Sequence, residues 1–370
     1  MASTTSTKEY VLPKLPASMS DATVDVSIID TTSNIICPSA AFMEPIDFGL
    51  ETMVVPAFSF MVRNTKSHRA VLFDLGVRKD WQNLPAPMLA RLKNFGFVIE
   101  TEKGVRDILE EHGQDTSATE AIIWSHGHFD HTGDPSTFEG RTELVIGPGS
   151  KAGFTPGYPT DDKSGVLESD FAGRNVREIT SDEFDLTIGR MPAMDYFGDQ
   201  SFYLLDVPGH CQGHMCALAR VTSQPDSFIL LGADCVHHMG QLRPNKWTPL
   251  EDDISPNPLQ DSGMCPADAV NALCREKDRG SPFFEPTSKG AHADAAIAKE
   301  TIDKVQELDA LDNVWLAVAH DPAILEVADL YPQKANDFMH KGWKQRTRWS
   351  FLKDLVPGIE AVRGQNLHKV

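Results

Sequence analysis

The order of apolar and polar positions divides the chain into strand-like and helix-like stretches. Val24-Asp25-Val26-Ser27-Ile28-Ile29-Asp30 alternates as a strand with one buried face does. Arg69 to Leu75 reads as a buried strand that runs into a turn at Gly76. Met53 to Val62 is apolar and β-prone, and Pro56 within it predicts an edge or a bulge. Val105, Ile108, Leu109 and His112 fall at i, i+3, i+4 and i+7 before Gly113, which predicts a helix over 102–112 with His112 as a packing residue. A second helix is expected at about 293–309, from Ile297, Thr301, Ile302, Val305 and Leu308. Four further apolar runs, Ala121 to Trp124, Phe202 to Val207, Phe228 to Gly232 and Val314 to Ala319, are each followed by His or Asp. Strands that end this way put reactive side chains on one edge of a sheet, where α/β sites lie. Two long irregular regions, 147–200 and 237–295, interrupt the pattern.

Composition narrows the class. A length of 370 residues suits two domains, or one large α/β core with insertions, at ~100–200 residues per domain. Lys and Arg number 34 against 53 Asp and Glu, a formal charge of −19 that repels phosphate backbones and argues against nucleic acid as a partner. No run approaches the ~18 apolar residues of a membrane span. Cys37, Cys211, Cys216, Cys235, Cys265 and Cys274 form no CxxC pair, and the first ten residues are polar, so a cytoplasmic, reducing setting is expected.

The chemistry concentrates in Ser125-His126-Gly127-His128-Phe129-Asp130-His131, which places three imidazoles and a carboxylate within six residues. His126 and His128 extend to one side if the backbone stays extended, and Asp130 and His131 then turn over the same point. Imidazole with carboxylate suits Zn²⁺, with Mn, Fe or Co as substitutes, and five or more such groups imply two ions. Further candidates close other apolar runs: His210 after Asp206-Val207-Pro208-Gly209, Asp234 after Gly232-Ala233, and His320 after Ala319.

His126-Gly127-His128-Phe129-Asp130-His131 resembles the HxHxDH signature of the metallo-β-lactamase superfamily. Phe73-Asp74-Leu75-Gly76, Pro208-Gly209-His210, Gly232-Ala233-Asp234 and His320 follow in that family's order over roughly residues 50–322. The resemblance implies an α/β fold, an αββα sandwich of two mixed sheets with helices outside and metals at one edge. The expected organisation is a flexible N-terminus over 1–22 and one domain over 23–370, with insertions near 77–115, 147–200 and 237–295. Carried over by position, His126, His128 and His210 would hold one ion; Asp130, His131 and His320 the other; Asp234 would bridge them. Asp74 would orient ligands, and His214 belongs to the surroundings of the metal set or to a loop.

An aspartate at 234, where the dizinc β-lactamases have cysteine, is similar to lactonases and glyoxalase II-like thioesterases. A histidine at 128, where flavo-diiron proteins have glutamate, favours zinc hydrolysis over oxygen chemistry. Val207 to His214 is similar to the Thr-Pro-Gly-His-Thr-Pro-Gly-His pattern of quorum-quenching lactonases. Those lactonases have tyrosine three residues after the bridging aspartate, where this chain has His237 and then His238. Fungal benzoxazolinone-type γ-lactamases belong to the same branch.

The resemblance therefore implies a dinuclear zinc hydrolase that opens a small cyclic ester or amide through a bridging hydroxide. Asp130 would accept the proton, and His237 would donate to the oxyanion or leaving group unless it and His238 are loop residues. Met239, Trp247, Met264, Phe283 and Phe284 would wall the pocket or else anchor the long loop. The expected substrate is small, neutral, and cyclic or aromatic, and a homodimer is admitted as the assembly. A thioesterase and a non-catalytic metal-binding scaffold are the alternatives.

Overall fold

The computed structural model describes residues 13, 15, 20–46, 49–251, 253–260 and 279–360. Two six-stranded sheets form its centre. In the first, Val24–Asp30, Phe58–Asn64, Ala70–Phe73, Ala121–Ile123, Glu143–Ile146 and Val176–Glu178 lie side by side in chain order. The first three strands pair antiparallel and the last four parallel. In the second, Leu186–Ile188, Met191–Asp195, Phe202–Asp206, Met215–Thr222 and Ser227–Ala233 form an antiparallel run, and Val314–Val318 joins it parallel to Ser227–Ala233.

Alternation along the strands sorts the core into three layers. Val24, Val26, Ile28, Phe60 and Phe73 of the first sheet share one cluster with Phe202, Leu204, Ala217, Ile229 and Trp315 of the second, so the two sheets face each other. The opposite faces carry helices. The helix Val105–Glu111 lays Val105, Ile108 and Leu109 against Ile122 and Leu144, and the helix Ala295–Asp309 lays Ile302, Val305 and Leu308 against Leu230 and Leu316. Asp294 caps the second helix, accepting from the amides of Ala296 and Ile297 at 3.0 Å. No helix among the described residues is long and apolar enough to cross a membrane.

Several expectations change. Pro56 marks a break between two strands, the first of which is an edge strand. Thr52–Val55 joins a small sheet with Asn34–Pro38 and Val98–Glu100, whereas Phe58–Asn64 is interior to the first large sheet. Region 147–200 is only partly an insertion, since Val176–Glu178, Leu186–Ile188 and Met191–Asp195 are strands of the two main sheets. His112 is exposed, yet it packs edge-on against the Tyr331 ring at 5.3 Å, with its Nδ1 2.8 Å from the Ile108 carbonyl. Within 1–22, residues 20–22 are held in place, because the Arg220 guanidinium donates to the carbonyls of Ser20 and Ala22 at 2.6 and 3.0 Å. Most of 1–19 lies outside the described residues, as does Met264.

Candidate metal centre

Ile123, Ala233 and Val318 end strands whose parallel partners terminate at the same edge, so the segments that follow them converge. After Ile123 the chain bends at Ser125, Gly127 and His128, where the backbone of His128 itself is extended (φ −78°, ψ 153°), and then turns into the short helix Phe129–Thr132. Gly127 leaves room here for the Phe154 ring, which a Cβ at that position would push aside. The motif thereby delivers His126, His128, Asp130 and His131 to one point.

Asp234 stands between two groups of side chains. Its Oδ1 lies 2.9 Å from His131 Nε2 and 3.1 Å from His320 Nε2. Asp130 reaches the same group, 3.5 Å from His320 Nε2. The other oxygen, Oδ2, lies 3.3 Å from His210 Nε2 and 3.7 Å from His126 Nε2. His210 Nε2 is in turn 3.2 Å from His126 Nε2 and 2.9 Å from His128 Nδ1. All seven residues singled out in the sequence as metal candidates meet here, six of them buried and His128 half-buried.

The far sides of several rings are held by the protein. His131 Nδ1 bonds to Asp74 Oδ2 at 2.8 Å, His320 Nδ1 donates to the Pro56 carbonyl at 2.7 Å, and His126 Nδ1 lies 3.0 Å from Ser125 Oγ. Such contacts set the tautomer and aim the opposite nitrogen inward. His214 plays a supporting part: its Nδ1 donates to the Val207 carbonyl at 3.0 Å and its Nε2 accepts from the Asp234 amide at 3.2 Å.

Charge is divided unequally across the site. Burial opposes the charged form of His131, yet the carboxylates of Asp234 and Asp74 hold its pKa well above the usual imidazole range. His320 is raised too, against burial, chiefly by Asp234. On the other side burial prevails: it holds His126 and His210 well below the ordinary value and takes His128 to about 4. Three neutral imidazoles on one side of a carboxylate, and two imidazoles with a carboxylate on the other, form a donor set that fits two borderline cations. His131 Nε2 and Asp234 Oδ1 are buried without an aligned hydrogen-bond partner among the described residues, as lone pairs directed at a cation would be.

His237 also belongs to the site. Its Nε2 is 3.1 Å from Asp234 Oδ2, and its ring stacks on Phe42 at 4.3 Å. His238 does not: its Nδ1 accepts from the Gly240 amide and its Nε2 pairs with Asp354 at 3.2 Å. Two neighbours were missed in the sequence. Cys211 groups with His126, His128 and His210, and its thiol is kept protonated by burial. His292 groups with His210 and His237, and no spacing in the irregular 237–295 segment marks it.

Of the two roles open to the apolar residues of 237–295, wall or anchor, Phe283 and Phe284 take the second. A cavity beside His128, Asp130 and Asp234 is lined by Phe42, Leu92, Phe97 and Phe129. Leu92 and its neighbours Met88 and Phe95 come from the helix Ala86–Phe95. Phe283 and Phe284 are buried in the core under the second sheet, and Met239 lines a different cavity that reaches His237 and His320.

The sequence profile described as Metallo-beta-lactamase superfamily matches residues 53–222. The chain is 47% identical over 355 residues to gamma-lactamase FDB1 of Fusarium pseudograminearum (strain CS3096), covering 94% of this chain and 86% of that protein. This chain belongs to the metallo-β-lactamase superfamily. A second relative, metallo-hydrolase mfmC of Annulohypoxylon moriforme, is 39% identical over 94% of this chain and 92% of its own length. In three longer relatives, 39–41% identical, the chain spans 40% of their length. The superfamily fold is also that of a quorum-quenching N-acyl homoserine lactone hydrolase crystal structure, with a TM-score of 0.56 at 14% identity over 85% of this chain and all of that one.

Proposed function

We propose that this protein is a dinuclear zinc hydrolase that opens the ring of a cyclic amide or cyclic ester. The observation that carries this reading is the position of Asp234, one oxygen toward His131 and His320 and the other toward His210 and His126. A carboxylate so placed is suited to bridge two cations. The relatives named gamma-lactamase and metallo-hydrolase support the reaction class.

His126, His128 and His210 would hold one ion, Asp130, His131 and His320 the other, and Asp234 both. Bound there, zinc supplies Lewis acidity and brings the pKa of water toward ~7. The protein does the rest. Asp130 lies between the His320 group and the cavity, where its carboxylate takes up the proton released as water adds to the carbonyl. His237, fixed by its stack on Phe42, offers an imidazole to the oxyanion that develops on the carbonyl oxygen. Phe42, Phe97 and Phe129 exclude water from a flat, uncharged ring and supply the apolar contact that binds it.

The test is a panel of lactams, lactones and thioesters presented to zinc-loaded protein of measured metal content. Turnover of lactams or lactones with two zinc ions per chain is the expected result. Turnover of thioesters alone, or fewer than one ion per chain, sinks the proposal.

A further inference from the structure

His292 has no place in the mechanism above, yet it is built into the site. The chain on either side of it is pinned: the Ala291 amide donates to the Ala41 carbonyl at 2.7 Å, and the Ala293 amide to the His210 carbonyl at 2.8 Å. Gly290 makes this approach feasible, since a Cβ there would collide with the Ala41 carbonyl. The ring is thereby held 5.2 Å from that of His237 and 5.5 Å from that of His210, centroid to centroid. His237 is fixed independently by Phe42.

Each ring has a buried nitrogen with nothing to bond to. Nδ1 of His237 and Nδ1 of His292 lack a hydrogen-bond partner among the described residues, a condition that native interiors rarely leave unused. A third ion does not answer it. His210 Nδ1 is unpartnered as well, but with Nε2 turned to His126 and His128 as the ring's lone-pair nitrogen, Nδ1 carries the proton, which leaves two imidazoles, fewer protein donors than structural or catalytic zinc takes. Ala291 and Phe42, the neighbours that position these two rings, line the cavity shared with His128, Asp130 and Asp234.

We propose that His292 and His237 form a two-imidazole clamp for the acyl carbonyl oxygen of the substrate, which together with the oxygen added from water becomes the carboxylate of the ring-opened product. The clamp rests on the ring-opening reading for its ligand class, although not for its geometry. His292 is a substrate-binding residue in this scheme, and the metal set is independent of it.

The experiment compares zinc-loaded wild type, His292→Ala and His292→Gln on whichever lactam or lactone the panel identifies. It also follows binding of 4-hydroxybutyrate and 4-aminobutyrate to the wild type through the imidazole signals of ¹⁵N-histidine-labelled protein. For His292→Ala, KM and the product inhibition constant rise together by about tenfold, while kcat stays within about threefold and zinc content is unchanged. His292→Gln, which keeps an N–H donor, falls between. Unchanged KM and product inhibition overturn the clamp. So does loss of zinc in His292→Ala, which would make this histidine part of the metal set. If the panel yields no turnover, the ring-opening reading falls by itself. Binding of 4-hydroxybutyrate then decides the clamp: a shifted His292 signal supports it, and an unmoved one overturns it.

Discussion

Asp74 accepts a hydrogen bond from His131 Nδ1 at 2.8 Å while its own backbone is left-handed, with φ 61°. A non-glycine residue in that region carries about 1–3 kcal/mol of strain, tolerated where the surroundings over-determine it. Here they do: the Ser125 amide donates to Oδ1 at 2.7 Å and the Ser125 hydroxyl to Oδ2 at 2.8 Å. The carboxylate keeps the proton of His131 on Nδ1 and leaves Nε2 for the Asp234 side.

Asp74→Asn retains the shape but loses the charge that sets this tautomer. Zinc affinity of the His131 group is expected to fall by about 10–100-fold, read by competition with a chromogenic chelator. An unchanged affinity would show that the pair is incidental.

Gly209 offers a test of how His210 is aimed. Its φ is 120°, and a Cβ there would collide with the backbone of Ala298, in the first turn of the helix Ala295–Asp309. Backbone yields less readily than a flexible side chain. The same junction is tied by Thr301 Oγ1 to the Pro208 carbonyl at 2.7 Å and by the Asp294 amide to the Gly209 carbonyl at 3.0 Å. Gly209→Ala should displace His210, lower Tm by several degrees, and reduce zinc by one equivalent while the His131 group keeps its ion. Calorimetry and elemental analysis check both effects.

The parts of this site that could be read from the sequence are those made locally. His126 to His131 lie within one turn of chain, so spacing alone brings them together, and Asp234 and His320 follow apolar runs long enough to be recognised as strands. The cavity wall was not legible because it depends on how distant segments pass one another. Phe42, Phe97 and Phe129 meet edge to face at 6.1 and 6.2 Å although they come from three separate stretches. His292 was hidden for the same reason, since what places it is backbone pairing to Ala41 and His210. The edge strands Val176–Glu178 and Leu186–Ile188 are three residues each, too short to show a period.

Away from the centre, Asp170 makes stability depend on pH. It is 3% exposed, receives the Leu167 amide at 3.0 Å, and sits 3.9 Å from the Arg78 guanidinium, which is shared with Asp80 and Asp134. Burial, with Asp134 nearby, raises its pKa to about 7 despite Arg78. The folded state therefore holds a proton that the unfolded chain gives up near 3.8. This contribution is fully present below that value and is lost as pH rises through about 7. Between pH 5 and pH 8 wild type should lose about 2 kcal/mol relative to Asp170→Asn, which cannot ionise. Urea unfolding of both proteins at the two pH values measures it, and parallel curves would count against the assignment.

The unequal charge across Asp234 leads to the last prediction. His126, His128 and His210 are kept neutral by burial, so few protons compete for their nitrogens until the solution is strongly acidic. His131 and His320, facing Asp234, hold protons to higher pH than free imidazole does, and a cation must displace them. Acidification should therefore release zinc in two steps. The ion of the Asp130, His131 and His320 group leaves first, on the neutral side of the titration, and the other leaves near or below pH 5, given the value of about 4 for His128. Stepwise dialysis with elemental analysis should show a plateau at one ion per chain. His320→Ala should begin on that plateau and follow only the acidic step, whereas His128→Ala should lose its remaining ion at the higher pH. Release of both ions in a single step, with the two variants superimposed, would mean that Asp234 couples the groups too tightly for their separate proton affinities to matter.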